Sequence, residues 1–182
     1  MKKYLAILTA LLVPVLVQAA PNCEKNPIYC KILTLNPKVD KAFALELSNS
    51  IYRYSKKYGT NPALSVAIAM QESAFANVNR TGSVLTKAGK IIHGDTDIGV
   101  FQLHVNTIEY MGIDLERLRT DVDYQTYWHI RILKSKISTC KAKREQLQVQ
   151  EGNEWSCYHS FTFKKRRIYL EDVNVHLTKI QL

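Results

Sequence analysis

Apolar positions recur along this chain mostly at helical spacing. Between Asp40 and Tyr58, the residues Phe43, Leu47, Ile51, Tyr54 and Tyr58 follow at intervals of four, four, three and four, which puts them on one helix face. Gly59 is a suitable stop. A second helix is predicted after Asn61, a good N-cap, and Pro62, which suits the first turn. In it Leu64, Ile68, Glu72 and Phe75 share a face, so a carboxylate stands where the pattern calls for an apolar side chain. Further on, Gly99 to Met111 reads as a helix stopped by Gly112. Asp121 to Thr139 is the strongest later helix, with Tyr127, Ile130, Leu133, Ile137 and Cys140 on its face. Phe163 to Leu182 reads as a basic terminal helix with Tyr169, Val173, Leu177 and Ile180 inward.

Other stretches lack this rhythm. Asn22 to Lys38 reads as irregular, broken by Pro27 and Pro37. Lys141 to Gln150 is polar. Ala76 to Thr96 carries Gly82, Gly89 and Gly94 and no clear period. Within it Val84-Leu85-Thr86 and Lys90-Ile91-Ile92 are predicted as two short strands around Lys87-Ala88-Gly89. A long loop in a small domain is either functional or disordered, and the two apolar runs favour a functional one.

Composition adds a compartment and a charge. Met1 to Ala20 has Lys2 and Lys3, a mostly apolar run from Tyr4 to Val17, and Val17-Gln18-Ala19 as a cleavage site. That is the pattern of a secretory signal peptide. The run is too short for a membrane anchor and is interrupted by Pro14. Residues 21–182 are therefore expected to form one exported domain with no transmembrane anchor, in the periplasm or secreted. The formal charge of +9 falls, with loss of Lys2 and Lys3, to +7. Such a balance suits an anionic surface, whether nucleic acid, an anionic membrane or the acidic cell-wall polymer, or is a solubilising charge with no partner; export argues against nucleic acid. Cys23, Cys30, Cys140 and Cys157 all survive cleavage, and an even count in an exported chain favours two disulfides. Three pairings exist; Cys23–Cys30 with Cys140–Cys157 is the expected one, because each closes a short local loop. There is no C-x-x-C pair and the histidines are scattered, so no metal site is expected.

Glu72 is where chemistry enters. Burying a carboxylate without a partner is costly and raises its pKa. A carboxyl still protonated near neutral pH can act as a general acid. The competing reading is an ordinary solvated or Arg-paired acid near a helix end. Two later stretches shift the balance: Asp97-Ile98-Gly99-Val100-Phe101-Gln102-Leu103 and Trp155-Ser156-Cys157-Tyr158-His159-Ser160. A helix ending in Glu-Ser, then Gly-x-x-Gln, then Tyr-His-Ser, ordered between about Leu45 and Val175, resembles the lytic transglycosylases of the goose-type lysozyme-like superfamily. The resemblance implies a mainly α, α+β lysozyme-like fold, a helical domain with a short β-hairpin or loop subdomain lining a cleft. It implies a lyase that cuts peptidoglycan between MurNAc and GlcNAc and leaves 1,6-anhydroMurNAc, with Glu72 as sole general acid and base and no cofactor. Small enzymes of this shape often serve secretion, pilus or conjugation machines, which makes such a machine a candidate partner.

The resemblance also implies supporting roles. Ser73 would help orient the substrate, its alternative being local backbone bonding. Gly99 and Gln102 match a Gly-Leu-Met-Gln type motif, with Val100-Phe101 in place of Leu-Met. Gly99 permits close backbone approach. Gln102 would face the sugar's polar groups or, equally, satisfy buried backbone groups. Tyr158 matches the family tyrosine whose hydroxyl reaches the glutamate. His159 replaces the family's Asn, keeping a hydrogen-bonding role or adding pH sensitivity; His104 is structural or on the rim. Asp95 and Asp97 lie just before Gly99. Either one facing Glu72 would make a two-carboxylate, goose-type hydrolytic muramidase, although the first expectation for Asp97 is a helix or turn cap. A reading from another class is a non-catalytic wall-binding assembly protein on a degenerate lysozyme-like scaffold. The tyrosine stripe from Tyr54 to Tyr58 reads as core before sugar platform. Lys164, Lys165, Arg166 and Arg167 read as a solvated helix start or a wall-binding patch.

Overall fold

The computed structural model describes residues 23–85 and 91–180; the expected leader and the Lys87-Ala88-Gly89 turn lie outside them. The chain opens with α1 (Pro27–Leu35), whose cap Asn26 accepts from the Tyr29 amide at 3.0 Å. The irregular reading of this stretch is corrected. Pro27 sits in the first turn, where a missing amide costs nothing, so it starts a helix instead of breaking one. Next, α2 (Lys41–Tyr58) runs from the Asp40 cap to Gly59. Leu47 and Ile51 are buried as the spacing requires, whereas Phe43, Tyr54 and Tyr58 are only partly covered.

The central element is α3 (Pro62–Ser73). Every residue from Ala63 to Ala69 is buried, so this helix is apolar all round, not one-faced. Its small residues let α1, α2 and α8 (Phe163–Leu177) pack against it. The helix ends at Ser73. Ala74 and Phe75 both take left-handed dihedrals, φ 51° and 65°, and Phe75 enters the core from that turn, not from the helix face. Glu72 thus occupies the last turn of a buried helix, just before a sharp backbone reversal.

After this reversal β1 (Asn79–Leu85) and β2 (Ile91–Ile98) form an antiparallel hairpin, with Leu85 opposite Ile91 and Asn79 opposite Ile98. The strands are longer than the two expected ones. Arg80 pairs with Asp97 but Thr81 pairs with Asp95, so β2 bulges at Thr96. Neighbours on β1 point to opposite faces, so the bulge sends Asp95 and Asp97 to opposite faces too. The two-residue strand β3 (Leu103–His104) adds to the end of β2. The helix predicted from Gly99 therefore begins only at Val105, as α4 (Val105–Met111). Residues 99–102 instead form a turn, with Gly99 at φ 74° and Gln102 at φ 47°. Asp97 caps no helix; His104 caps α4, its ring nitrogen accepting from the Asn106 amide at 3.2 Å.

The remaining elements close the molecule. After α5 (Leu115–Thr120), α6 (Val122–Ala142) packs on α2 and on the 3-10 helix Glu154–Tyr158. The polar stretch between them holds the short α7 (Arg144–Leu147). Both expected disulfides are present, Cys23–Cys30 and Cys140–Cys157, and they fit an oxidising compartment. The second ties the end of α6 to the 3-10 helix that carries Tyr158. Tyr169, Val173 and Ile180 are buried, but the helix ends at Leu177, short of the expected Leu182, so Ile180 packs from the turn beyond it. The basic run is corrected at one position: Arg166 is buried and donates to the carbonyls of Phe161, at 2.9 Å, and Leu147. The architecture is mainly helical with one three-stranded antiparallel sheet. Among the described residues no helix is long and apolar enough to cross a membrane.

Candidate active site

The Glu72 side chain lines a cleft of about 380 Å³. Arg80 and Asp97 of the hairpin form one wall. Leu103, His104 and Thr107 come from β3 and α4, Ile132 and Lys136 from α6, and Tyr158 and His159 from the end of the 3-10 helix. Burial pushes the Glu72 carboxyl up from 4.5 to about 7. The Tyr169 hydroxyl and the Arg80 charge pull in the other direction, and the Asp97 charge adds to the rise. Arg80 reaches the end of α3 directly, its guanidinium donating to the Glu72 backbone carbonyl. The Tyr169 hydroxyl is buried without a hydrogen bond of good geometry, and Glu72 is the carboxyl it acts on. Such a carboxyl exchanges its proton near neutral pH and has groups beside it that tolerate either form.

Beneath the cleft lies a chain of buried polar groups. The Tyr158 hydroxyl donates to the Phe101 carbonyl at 3.1 Å. Its oxygen is therefore free to accept, and His129 Nδ1 lies 3.1 Å away. With that proton on Nδ1, Nε2 accepts from Ser65 Oγ at 3.2 Å. Complete burial holds the His129 pKa down at about 3, so the ring is neutral, as this pattern requires. Phe101 stacks on the same ring, centroids 3.8 Å apart. Tyr158 is thus a strut between α3, α6 and the 99–102 turn. Its hydroxyl does not bond Glu72, contrary to what the resemblance implies; Tyr169 of α8 takes the place by the acid.

The Gly-x-x-Gln turn is held by three further side chains, Ser73, Gln125 and Gln102. Ser73 Oγ donates to the Val100 carbonyl at 2.8 Å, with the Ala69 carbonyl at 3.2 Å. Gln125 of α6 accepts from the Val100 amide at 2.9 Å and donates to Asn77 and to the Leu118 carbonyl. Gly99 leaves room for that carboxamide: a Cβ there would collide with it. Gln102 donates to the carbonyls of Val78, at 2.8 Å, and Gly99, at 2.6 Å, while its Oε1 is buried without a partner. Of the expected site residues, Glu72, Gln102, Tyr158, His159 and Asp97 line the cleft. Ser73, Gly99 and Phe101 build its support from behind.

The two aspartates separate. Asp97 shares the cleft and accepts from Thr96 Oγ1 at 2.9 Å. Asp95 is turned away by the bulge, pairs with Arg119 at 3.1 Å and accepts from Asn79 at 3.1 Å. It lines a different cavity, beside Val105 and Ile108, so a role opposite Glu72 is corrected for Asp95. His159 stacks on the Tyr169 ring, centroids 4.6 Å apart. Partial burial and the Lys165 charge lower its pKa, and the Asp97 charge opposes this. Among the described residues no group of three His, Cys, Asp or Glu side chains could hold a metal ion.

No protein-family model, curated protein or solved structure matches this chain. Sequence patterns do not single out Arg80, Lys136, Ser65, Gln125, His129 or the Tyr169 hydroxyl. The apolar spacing places Tyr169 on the inward face of the terminal helix, and its hydroxyl gives no separate signal. His129 falls inside the α6 pattern, where a buried neutral imidazole looks like any polar residue of a helix.

Proposed function

We propose that this chain is an exported peptidoglycan lytic transglycosylase of lysozyme-like fold, cutting between MurNAc and GlcNAc in the periplasm or outside the cell. The observation that carries this reading is the Glu72 carboxyl, held near pKa 7 by burial in a saccharide-sized cleft. The ordered Glu-Ser, Gly-x-x-Gln and Tyr-His-Ser motifs support it, because all three converge on that cleft. Protonated Glu72 gives its proton to the glycosidic oxygen as the bond to C1 breaks. The resulting carboxylate is favoured by the Tyr169 hydroxyl and the Arg80 charge. It then takes the proton of the MurNAc C6 hydroxyl, whose oxygen closes on C1 to give the 1,6-anhydro sugar. Water is not consumed, and the acid is regenerated.

One observation favours a second reading. Asp97 lines the same cleft and acts electrostatically on Glu72, as the second carboxylate of a hydrolytic muramidase would. Digestion of purified sacculi tests the enzyme reading in both forms. The wild-type chain should release soluble muropeptides and Glu72→Gln should release none while remaining folded. Equal binding of sacculi by both proteins with no release by either would instead indicate a wall-binding assembly protein.

A further inference from the structure

Lys136 is a cationic cleft residue that the proposed proton transfers leave unused. It lies one helical turn beyond Ile132 on α6, and both line the cleft that holds Glu72. Its ammonium sits 4.5 Å from the centroid of the Phe161 ring, whose face attracts a cation without neutralising it. Among the described residues no carboxylate lies within ion-pair distance of it, although Glu72 and Asp97 line the same cleft. Partial burial lowers its pKa, and no neighbouring charge contributes to that shift. A half-buried ammonium without a counter-ion is unfavourable until an anion arrives. Arg80, which lines the same cleft, donates to the Glu72 backbone carbonyl, so among the described residues Lys136 is the lining Lys or Arg left to meet a ligand.

We infer that Lys136 is an anion subsite of the cleft that pairs with a carboxylate carried by the muramoyl residue of the bound glycan. This rests on the transglycosylase reading above and narrows its substrate. A neutral N-acetylglucosamine polymer offers no such group. A muramoyl residue offers one of two: the lactyl carboxylate where the stem peptide has been removed, or a stem-peptide carboxylate where it remains. The pair is a charge-assisted hydrogen bond in a partly desolvated site, stronger than a surface ion pair.

The test is binding, measured by calorimetry on Glu72→Gln protein so that the ligand is not consumed. Three ligands are compared: a chitin oligosaccharide, glycan strands stripped of peptide, and strands with intact peptide. Adding Lys136→Met should weaken one of the two muramoyl ligands about tenfold and leave the chitin oligosaccharide unchanged. Lys136→Arg should restore most of the loss. The ligand that responds identifies the carboxylate as lactyl or peptide. Equal weakening of all three ligands, or of none, overturns the subsite while leaving the transglycosylase reading intact. Failure of the Glu72→Gln protein to bind any glycan overturns that reading, and the subsite with it.

Discussion

The Tyr158 hydroxyl donates to the Phe101 carbonyl at 3.1 Å, and this contact, not one to Glu72, fixes its place in the cleft. Tyr158 and Tyr169 therefore have separable duties. Tyr158→Phe removes a hydrogen bond to the 99–102 turn and leaves the His129 Nδ1 proton without an acceptor. It should lower stability by about 1–3 kcal/mol, seen in denaturant unfolding, with little change in the titration of Glu72. Tyr169→Phe removes a group that favours the ionised carboxyl. The Glu72 pKa should rise, and the alkaline limb of the activity profile should move to higher pH. If Tyr158→Phe moves that limb and Tyr169→Phe does not, the assignment is reversed.

Glu72 also makes stability depend on pH, with a definite sign. Its carboxyl has pKa about 7 in the folded chain against an ordinary 4.5. The folded state therefore holds the proton more tightly than the unfolded state. The contribution is fully present below about pH 4.5 and is lost as pH rises through about 7. Glu72→Gln, a neutral isostere, should match the wild type in acid and exceed it above neutrality by up to roughly 3 kcal/mol. Urea midpoints measured across that range decide the point. A variant that is less stable at every pH would show that the acid is held by partners that need its charge.

Asp97→Asn separates the two enzymatic readings. Its charge helps to raise the Glu72 pKa, so its removal should shift the alkaline limb of activity to lower pH. A transglycosylase should keep most of its rate on the acid side of that limb. A hydrolase that needs a second carboxylate should lose several orders of magnitude at every pH. The pH profile of muropeptide release gives the answer.

The turn behind the cleft depends on a missing side chain. Gly99 takes φ 74°, and a Cβ there would run into the Gln125 carboxamide that holds the Val100 amide. Gly99→Ala should cost about 1–3 kcal/mol for the backbone conformation, with the steric conflict in addition. A depressed melting temperature together with lost activity is the expected result. A variant of unchanged stability would mean that Gln125 can move aside freely.

Sequence periodicity located α2, α3, α6 and α8 because each carries apolar residues at helical spacing over several turns. The even cysteine count and the short local loops pointed to both disulfides. Periodicity failed where single residues override a pattern. Pro27 read as a break but sits at a helix start. Gly99 read as a helix start but serves a left-handed turn. The two apolar runs mark the far end of the hairpin, but its nearer part, built from Asn, Arg, Thr, Gly and Asp, offers no alternation to read, and its ladder comes from backbone pairing. The bulge at Thr96, which parts Asp95 from Asp97, has no sequence signature. Glu72 was legible because an acid at an apolar position is conspicuous. Its companions Tyr169, Arg80 and Lys136 come from three different elements, and only folding brings them to one cleft.

The most direct test of the account is the mass of the muropeptides that the wild-type chain releases from purified sacculi. Chemistry through Glu72 alone, with the C6 hydroxyl as acceptor, predicts products ending in 1,6-anhydroMurNAc, each lighter by one water than the hydrolytic product. Reducing-end products would contradict it and transfer the second half of the reaction to water.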